Sequence, residues 1–93
     1  MNKTELIEAL AAQAGLSKAD AGRAVEALFG DEGLIAGTLR KGDRVQITGF
    51  GTFVARKREA RTGRDPRTGG EIQISAANVP AFKPGQALKD ALN

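Results

Sequence analysis

Apolar residues recur at helical spacing through the first third of the chain. Leu6, Ile7, Leu10, Ala11 and Ala14 form one stripe. Asn2 stands ahead of them as a cap, with Glu5 three residues on. Gly15 suits the left-handed residue that ends a helix. Ser17 as cap, Asp20 at the third position and Leu16 as a staple repeat the start signal. A second stripe follows at Ala21, Ala24, Val25, Leu28 and Phe29. The spacing predicts helices over residues 3–14 and 18–29, a hairpin with a very short connection. Gly30-Asp31-Glu32-Gly33 then predicts a break, because each glycine disfavours helix by about 1 kcal/mol relative to alanine. The pattern resumes at Leu34, Ile35 and Leu39 for a further turn or two, and Arg40-Lys41-Gly42-Asp43 is the exit.

From Arg44 the period changes from helical to alternating. Arg44-Val45-Gln46-Ile47-Thr48 reads as a half-buried strand, and Gly49-Phe50-Gly51 as a turn. Thr52 to Arg61 is expected to be a second strand, apolar at Phe53-Val54-Ala55 and charged at its far end, as in a strand that leaves a core for solvent. Residues 62–70 are dense in turn formers. Glu71-Ile72-Gln73-Ile74-Ser75 starts a third strand that returns towards Val79-Pro80-Ala81-Phe82. At about 3.3 Å per residue, an arm of roughly eight residues per strand reaches about 25 Å. Pro84 suits the first turn of a closing helix over residues 83–92. The expected fold is α+β: a helical hairpin with the first strand (1–48), a three-stranded antiparallel sheet with an extended β-ribbon arm (52–80, tip 62–70), and a short C-terminal helix, all in one domain of residues 1–93.

Charge changes the picture most. Residues 54–70 carry Arg56, Lys57, Arg58, Arg61, Arg64 and Arg67 against only Glu59 and Asp65, and this segment accounts for the whole net charge of +3. Charge so concentrated points to a polyanion. Lysine with glutamate would solubilise an edge strand equally well; arginine pairs bidentately with phosphate and fits nucleic acid better. A chain of 93 residues with a long basic arm also has little to bury, so a partner subunit is expected to complete its core. There is no cysteine and no histidine, hence no thiolate metal site and neither of the commonest general base and metal ligand. No catalytic set, metal or cofactor is expected. No signal-peptide pattern and no run of roughly 20 apolar residues is present, so an intracellular protein with no membrane partner is expected.

Three blocks carry a resemblance: Gly49-Phe50-Gly51-Thr52-Phe53, Arg61-Thr62-Gly63-Arg64-Asp65-Pro66-Arg67-Thr68-Gly69, and Val79-Pro80-Ala81-Phe82-Lys83-Pro84-Gly85. In that order and spacing the chain resembles the bacterial histone-like HU and integration host factor family, closest to HU, over nearly its whole length. These proteins are themselves the usual examples of minor-groove architectural binding. The resemblance implies an intertwined homodimer, with a heterodimer with a paralogue left open, two β-arms around double-stranded DNA, and location in the nucleoid. It implies DNA contacts at Arg56, Arg58, Arg61 and Arg64, a wedge at Pro66, and a flanking contact at Lys89; Arg67 and Lys83 join them as basic neighbours. Phe29, Phe50, Phe53 and Phe82 sit on apolar stripes or strand roots and are expected in the dimer core rather than stacked on bases.

Three departures stand out. Asp65 replaces the family's usual asparagine beside the wedge proline, Gln86 stands where HU proteins often carry lysine, and the Gly30–Gly33 region is about three residues longer than usual. Without the family context, Asp65-Pro66 reads as an ordinary turn initiator. The expected function is largely sequence-independent DNA binding and bending, selective for nicked or flexible duplex. Two alternatives are a sequence-preferring subunit like integration host factor, and a dimerisation module whose basic arm docks on an acidic protein.

Overall fold

The computed structural model describes all residues 1–93. The chain divides into two units, Met1–Lys41 and Gly42–Asn93.

The first unit is helical. In α1 (Lys3–Ala14) the extended Asn2 accepts the Glu5 backbone N–H on its side-chain oxygen at 2.8 Å, satisfying one of the free donors of the first turn. The helix ends at Gly15, with φ 69° and ψ 36°. Ser17 caps α2 (Lys18–Phe29) in the same way, accepting from Asp20 N–H at 3.1 Å. Both helices have the bounds that their stripes and caps predict. At Gly30 the backbone turns extended, with ψ 165°, and a turn closed from Gly33 N–H to the Gly30 carbonyl at 2.8 Å leads into α3 (Leu34–Arg40). The break and the resumed helix are as expected. The Arg40 guanidinium donates back to the Asp31 carbonyl at 2.9 Å, which braces the linker. Lys3 ties α1 to α2 through Glu26 at 2.7 Å. The buried core is Ala11, Ala21 and Val25, and no large side chain is fully buried.

The second unit holds β1 (Val45–Ile47), β2 (Gly51–Arg58), β3 (Arg61–Arg64), β4 (Glu71–Ile74), β5 (Ala77–Pro84) and α4 (Gln86–Ala91). One antiparallel sheet has the order β1-β2-β5, and β3-β4 form a second, two-stranded sheet. Five strands therefore replace the three expected. Pairing stops where Arg58 faces Ala77 and resumes where Arg61 faces Ile74. Two residues are skipped on each side, so the register is unbroken and no bulge is introduced. Glu59, Ala60 and Ala76, which fall in the gap, are weak strand formers.

Pro84 also corrects the expectation. It is the last residue of β5, opposite Gly51, and α4 begins two residues later. Gly85 donates its N–H to the Phe50 carbonyl at 2.8 Å, and Leu88, in the first turn of α4, donates to the Gly49 carbonyl at 3.1 Å. A Cβ at Gly85 would run into the Gly49 carbonyl group. Pairing to the 49–50 turn thus holds this segment extended one residue past the proline, and fixes where α4 starts.

Candidate nucleic-acid interface

The hairpin of β2 and β5, carried on by β3 and β4, arranges the basic side chains. Successive residues of a strand face opposite sides. Arg56 (opposite Val79) and Arg58 (opposite Ala77) therefore share one face with Thr52 and its partner Lys83. Phe53, Lys57 and Phe82 lie on the other face. In the outer sheet Arg64 faces Glu71 and Thr62 faces Gln73, while Arg61 shares the second face with Ile74, Gly63 and Ile72. Because equal numbers of residues are skipped at the interruption, parity carries across it: Arg56, Arg58 and Arg64 fall on one side, Lys57 and Arg61 on the other. Gly63 leaves the space that Ile74 fills, since a Cβ there would lie 2.8 Å from Ile74 Cδ1.

Arg56, Arg58, Arg61 and Arg64 are exposed, and none is ion-paired; the four ion pairs of the chain lie elsewhere. The guanidinium groups of Arg56, Arg61 and Arg64 have no internal partner and are free for an external anion. Arg58 alone makes an internal contact, donating to the Ser75 carbonyl at 3.2 Å and so bridging the interruption between the two sheets. Lys83 joins the arginine face. Lys89 projects from α4, exposed, and is placed through the hydrogen bonds that hold α4 to the 49–50 turn. Gln86 points its amide to Asp90 at 2.8 Å, so this departure from the family pattern is committed within α4.

At the tip, Asp65 N–H donates to the Gly70 carbonyl and Gly69 N–H donates to the Asp65 carbonyl, both at 2.7 Å. The Asp65 carboxylate accepts the Arg67 backbone N–H at 2.8 Å. Pro66 is exposed between them. The turn spans 65–70, shorter than the expected tip, because β3 continues to Arg64. Asp65, not among the expected DNA contacts, forms the turn that Asp-Pro signals in sequence, its carboxylate accepting a backbone N–H two residues on.

The aromatic candidates separate. Phe53 and Phe82 face each other across β2 and β5 with ring centroids 4.8 Å apart, and Phe50 lies 5.8 Å from Phe82. Phe29 belongs to the helical unit, where with Leu6 and Val25 it lines an open apolar cavity of about 370 Å³. Phe29 is 56% exposed, Phe50 48% and Phe82 40%. No three His, Cys, Asp or Glu side chains converge where a metal ion could bind, and no helix is long and apolar enough to cross a membrane.

The whole chain, residues 1–93, matches the family model for bacterial DNA-binding protein. It is 60% identical to DNA-binding protein HU of Geobacillus stearothermophilus over 92 residues, covering 99% of both chains. It is 54% identical to DNA-binding protein HU-beta of Pseudomonas aeruginosa over 93 residues, covering both completely. Among solved structures it is similar to the Anabaena HU–DNA cocrystal structure, with a TM-score of 0.86 and 37% identity over 99% of this chain and 97% of that one. HU from Thermotoga maritima matches with a TM-score of 0.66 and 34% identity over both whole chains.

Proposed function

The chain belongs to the bacterial DNA-binding protein family, and from that premise we propose how it binds and bends a duplex. It is an architectural DNA-binding protein like the HU proteins it resembles over its full length. Two copies pair through the apolar surface that each leaves uncovered, and each contributes one arm. The arms enter the minor groove with arginine on both faces, where two phosphate strands flank the ribbon. Arg56, Arg58, Arg61 and Arg64 neutralise phosphates along the arm, while Lys83 and Lys89 meet the flanking duplex. Pro66 at the tip is a rigid apolar ring that parts a base step, a mechanism for which this family is the usual example. Selectivity follows from deformability: a nicked or flexible duplex bends at lower cost. Association with the nucleoid follows from binding of this kind.

The observation that carries this reading is the set of four exposed, unpaired arginines ordered along one continuous-register ribbon that ends in an exposed proline. A docking module for an acidic protein would not need that proline. Dimerisation is supported by the small core. Ala11, Ala21 and Val25 are the buried hydrophobic residues, and full burial of a large aliphatic side chain supplies only about 1.5–3 kcal/mol against about 1–2 kcal/mol of entropy per ordered residue.

A salt titration on two duplexes of equal sequence, one intact and one with a central nick, tests the function. The expected results are tighter binding to the nicked duplex and log K falling against log salt by roughly 0.9 per phosphate neutralised, several units for a dimer. Equal affinity for both duplexes would remove the wedge and leave an electrostatic clamp. Absence of binding to either at low salt would remove the DNA reading.

A further inference from the structure

Resting on the wedge reading above, we propose that Asp65 is the positioning residue of the arm tip: it holds the turn that presents Pro66, and Arg67 covers its charge. A carboxylate at the leading end of a DNA-binding arm is unexpected, because it faces phosphate. Its surroundings explain its presence. The Asp65 side chain is only 21% exposed and that of Arg67 is 90% exposed, so the carboxylate is folded back into the turn rather than extended to solvent. All three polar parts of Asp65 are used: its N–H bonds to the Gly70 carbonyl, its carbonyl accepts from Gly69, and its Oδ1 accepts the Arg67 N–H. Pro66 has no N–H with which to tie itself down, so both peptide units that flank it depend on Asp65. The Thr68 hydroxyl closes the far side, accepting from Gly70 N–H at 3.2 Å, where Gly69 adopts φ 73°.

The charge is answered locally. Arg67 Nε lies 3.8 Å from the same carboxylate oxygen that accepts the Arg67 N–H. One residue thus supplies both the backbone donor that orients the carboxylate and the cation that screens it. This separates two properties of Asp65. The acceptor geometry orders the tip and asparagine can supply it; the charge is a burden that Arg67 offsets.

Four variants test the assignment: Asp65→Asn, Asp65→Ala, Pro66→Ala and Arg67→Gln, the last made in the native and in the Asp65→Asn background. Each is bound to intact and centrally nicked duplexes at one low salt concentration, and the Arg67 amide is followed by NMR exchange in the free protein. Asp65→Asn is expected to keep the native preference for the nicked duplex and a protected Arg67 amide. Asp65→Ala is expected to expose that amide and to lower the nicked-to-intact ratio about two- to tenfold, the range given by losing one hydrogen bond, towards that of Pro66→Ala. In the native background, Arg67→Gln is expected to weaken binding about two- to fivefold more than in the Asp65→Asn background. If Pro66→Ala loses the preference while Asp65→Ala keeps it, this assignment falls and the wedge stands. If Pro66→Ala keeps the preference, the wedge falls and takes the assignment with it. If Asp65→Asn behaves as Asp65→Ala, the charge and not the acceptor is what matters, and the assignment is overturned.

Discussion

Replacing Phe29 by alanine measures how much of this protein's stability comes from a second copy. Within one chain Phe29 is 56% exposed, so less than half of it is covered by its own neighbours Leu6 and Val25. A fully buried Phe→Ala change costs about 3–5 kcal/mol, and scaling by the covered fraction leaves about 2 kcal/mol or less for an isolated chain. A dimer that seals the cavity restores the full range. The assay is urea unfolding followed by far-UV circular dichroism at several protein concentrations. The native protein is expected to show a midpoint that rises with concentration, since association shifts stability by mass action. Phe29→Ala is expected to lose about 3–5 kcal/mol per protomer. A midpoint unchanged over a hundredfold dilution, together with a loss near or below 2 kcal/mol, would refute the reasoning and leave Phe29 a surface residue.

Three further outcomes are expected. Gly85→Ala drives a Cβ into the Gly49 carbonyl group and is expected to lower stability by about 1–3 kcal/mol, the range for overpacking, read as a drop in thermal midpoint; no drop would show that the 49–50 turn yields. Arg56→Gln removes one uncommitted guanidinium from the arm and is expected to reduce the salt slope of binding by about one unit per arm, with similar losses on unrelated duplex sequences. Glu26 raises the Lys3 pKa above the ordinary 10.5, through their hydrogen bond first and charge attraction second. A raised folded-state pKa contributes stability that is complete below 10.5 and is lost as pH climbs through the raised value. Unfolding midpoints of the native protein and Glu26→Gln should therefore converge only at strongly alkaline pH; convergence at neutral pH would show that the pair contributes nothing.

The helical unit is legible in the sequence almost residue by residue because its signals are local. Asn2, Gly15 and Ser17 act on backbone groups within a few positions of themselves, and the apolar stripes are read over one or two turns. The β unit is less legible because its decisive contacts are distant. Pro84 by itself favours a helix start, yet its position is settled by Gly51, and that of Gly85 by Phe50. The gap in the arm spans residues 59–60 on one strand and 75–76 on the returning one. Arg56, Arg58, Arg61 and Arg64 all lie in strands of the ribbon, and the face each takes follows from alternation, which survives any change of partner that preserves register. The turn that Asp65 closes on the Arg67 N–H is local, and the Asp-Pro pair signals it in the sequence.

The charge distribution follows the division of the structure. The helical unit, residues 1–41, carries five basic and six acidic side chains, while residues 42–93 carry nine basic and five acidic. The helical acids are partly neutralised in pairs, Glu26 with Lys3, Asp20 with Arg23 and Glu32 with Arg40, whereas of the arm arginines only Arg67, at the tip, is paired, with Asp65. Surface pairs of that kind add little stability. The helical unit is therefore nearly neutral, while residues 42–93 carry a net four positive charges. Within residues 54–70 six basic side chains stand against two acids, so attraction for a polyanion is concentrated on the strands that flank the turn at Pro66. Under the function proposed above, electrostatic capture and the wedge fall to the same segment, so that a duplex drawn in by the first is aligned for the second.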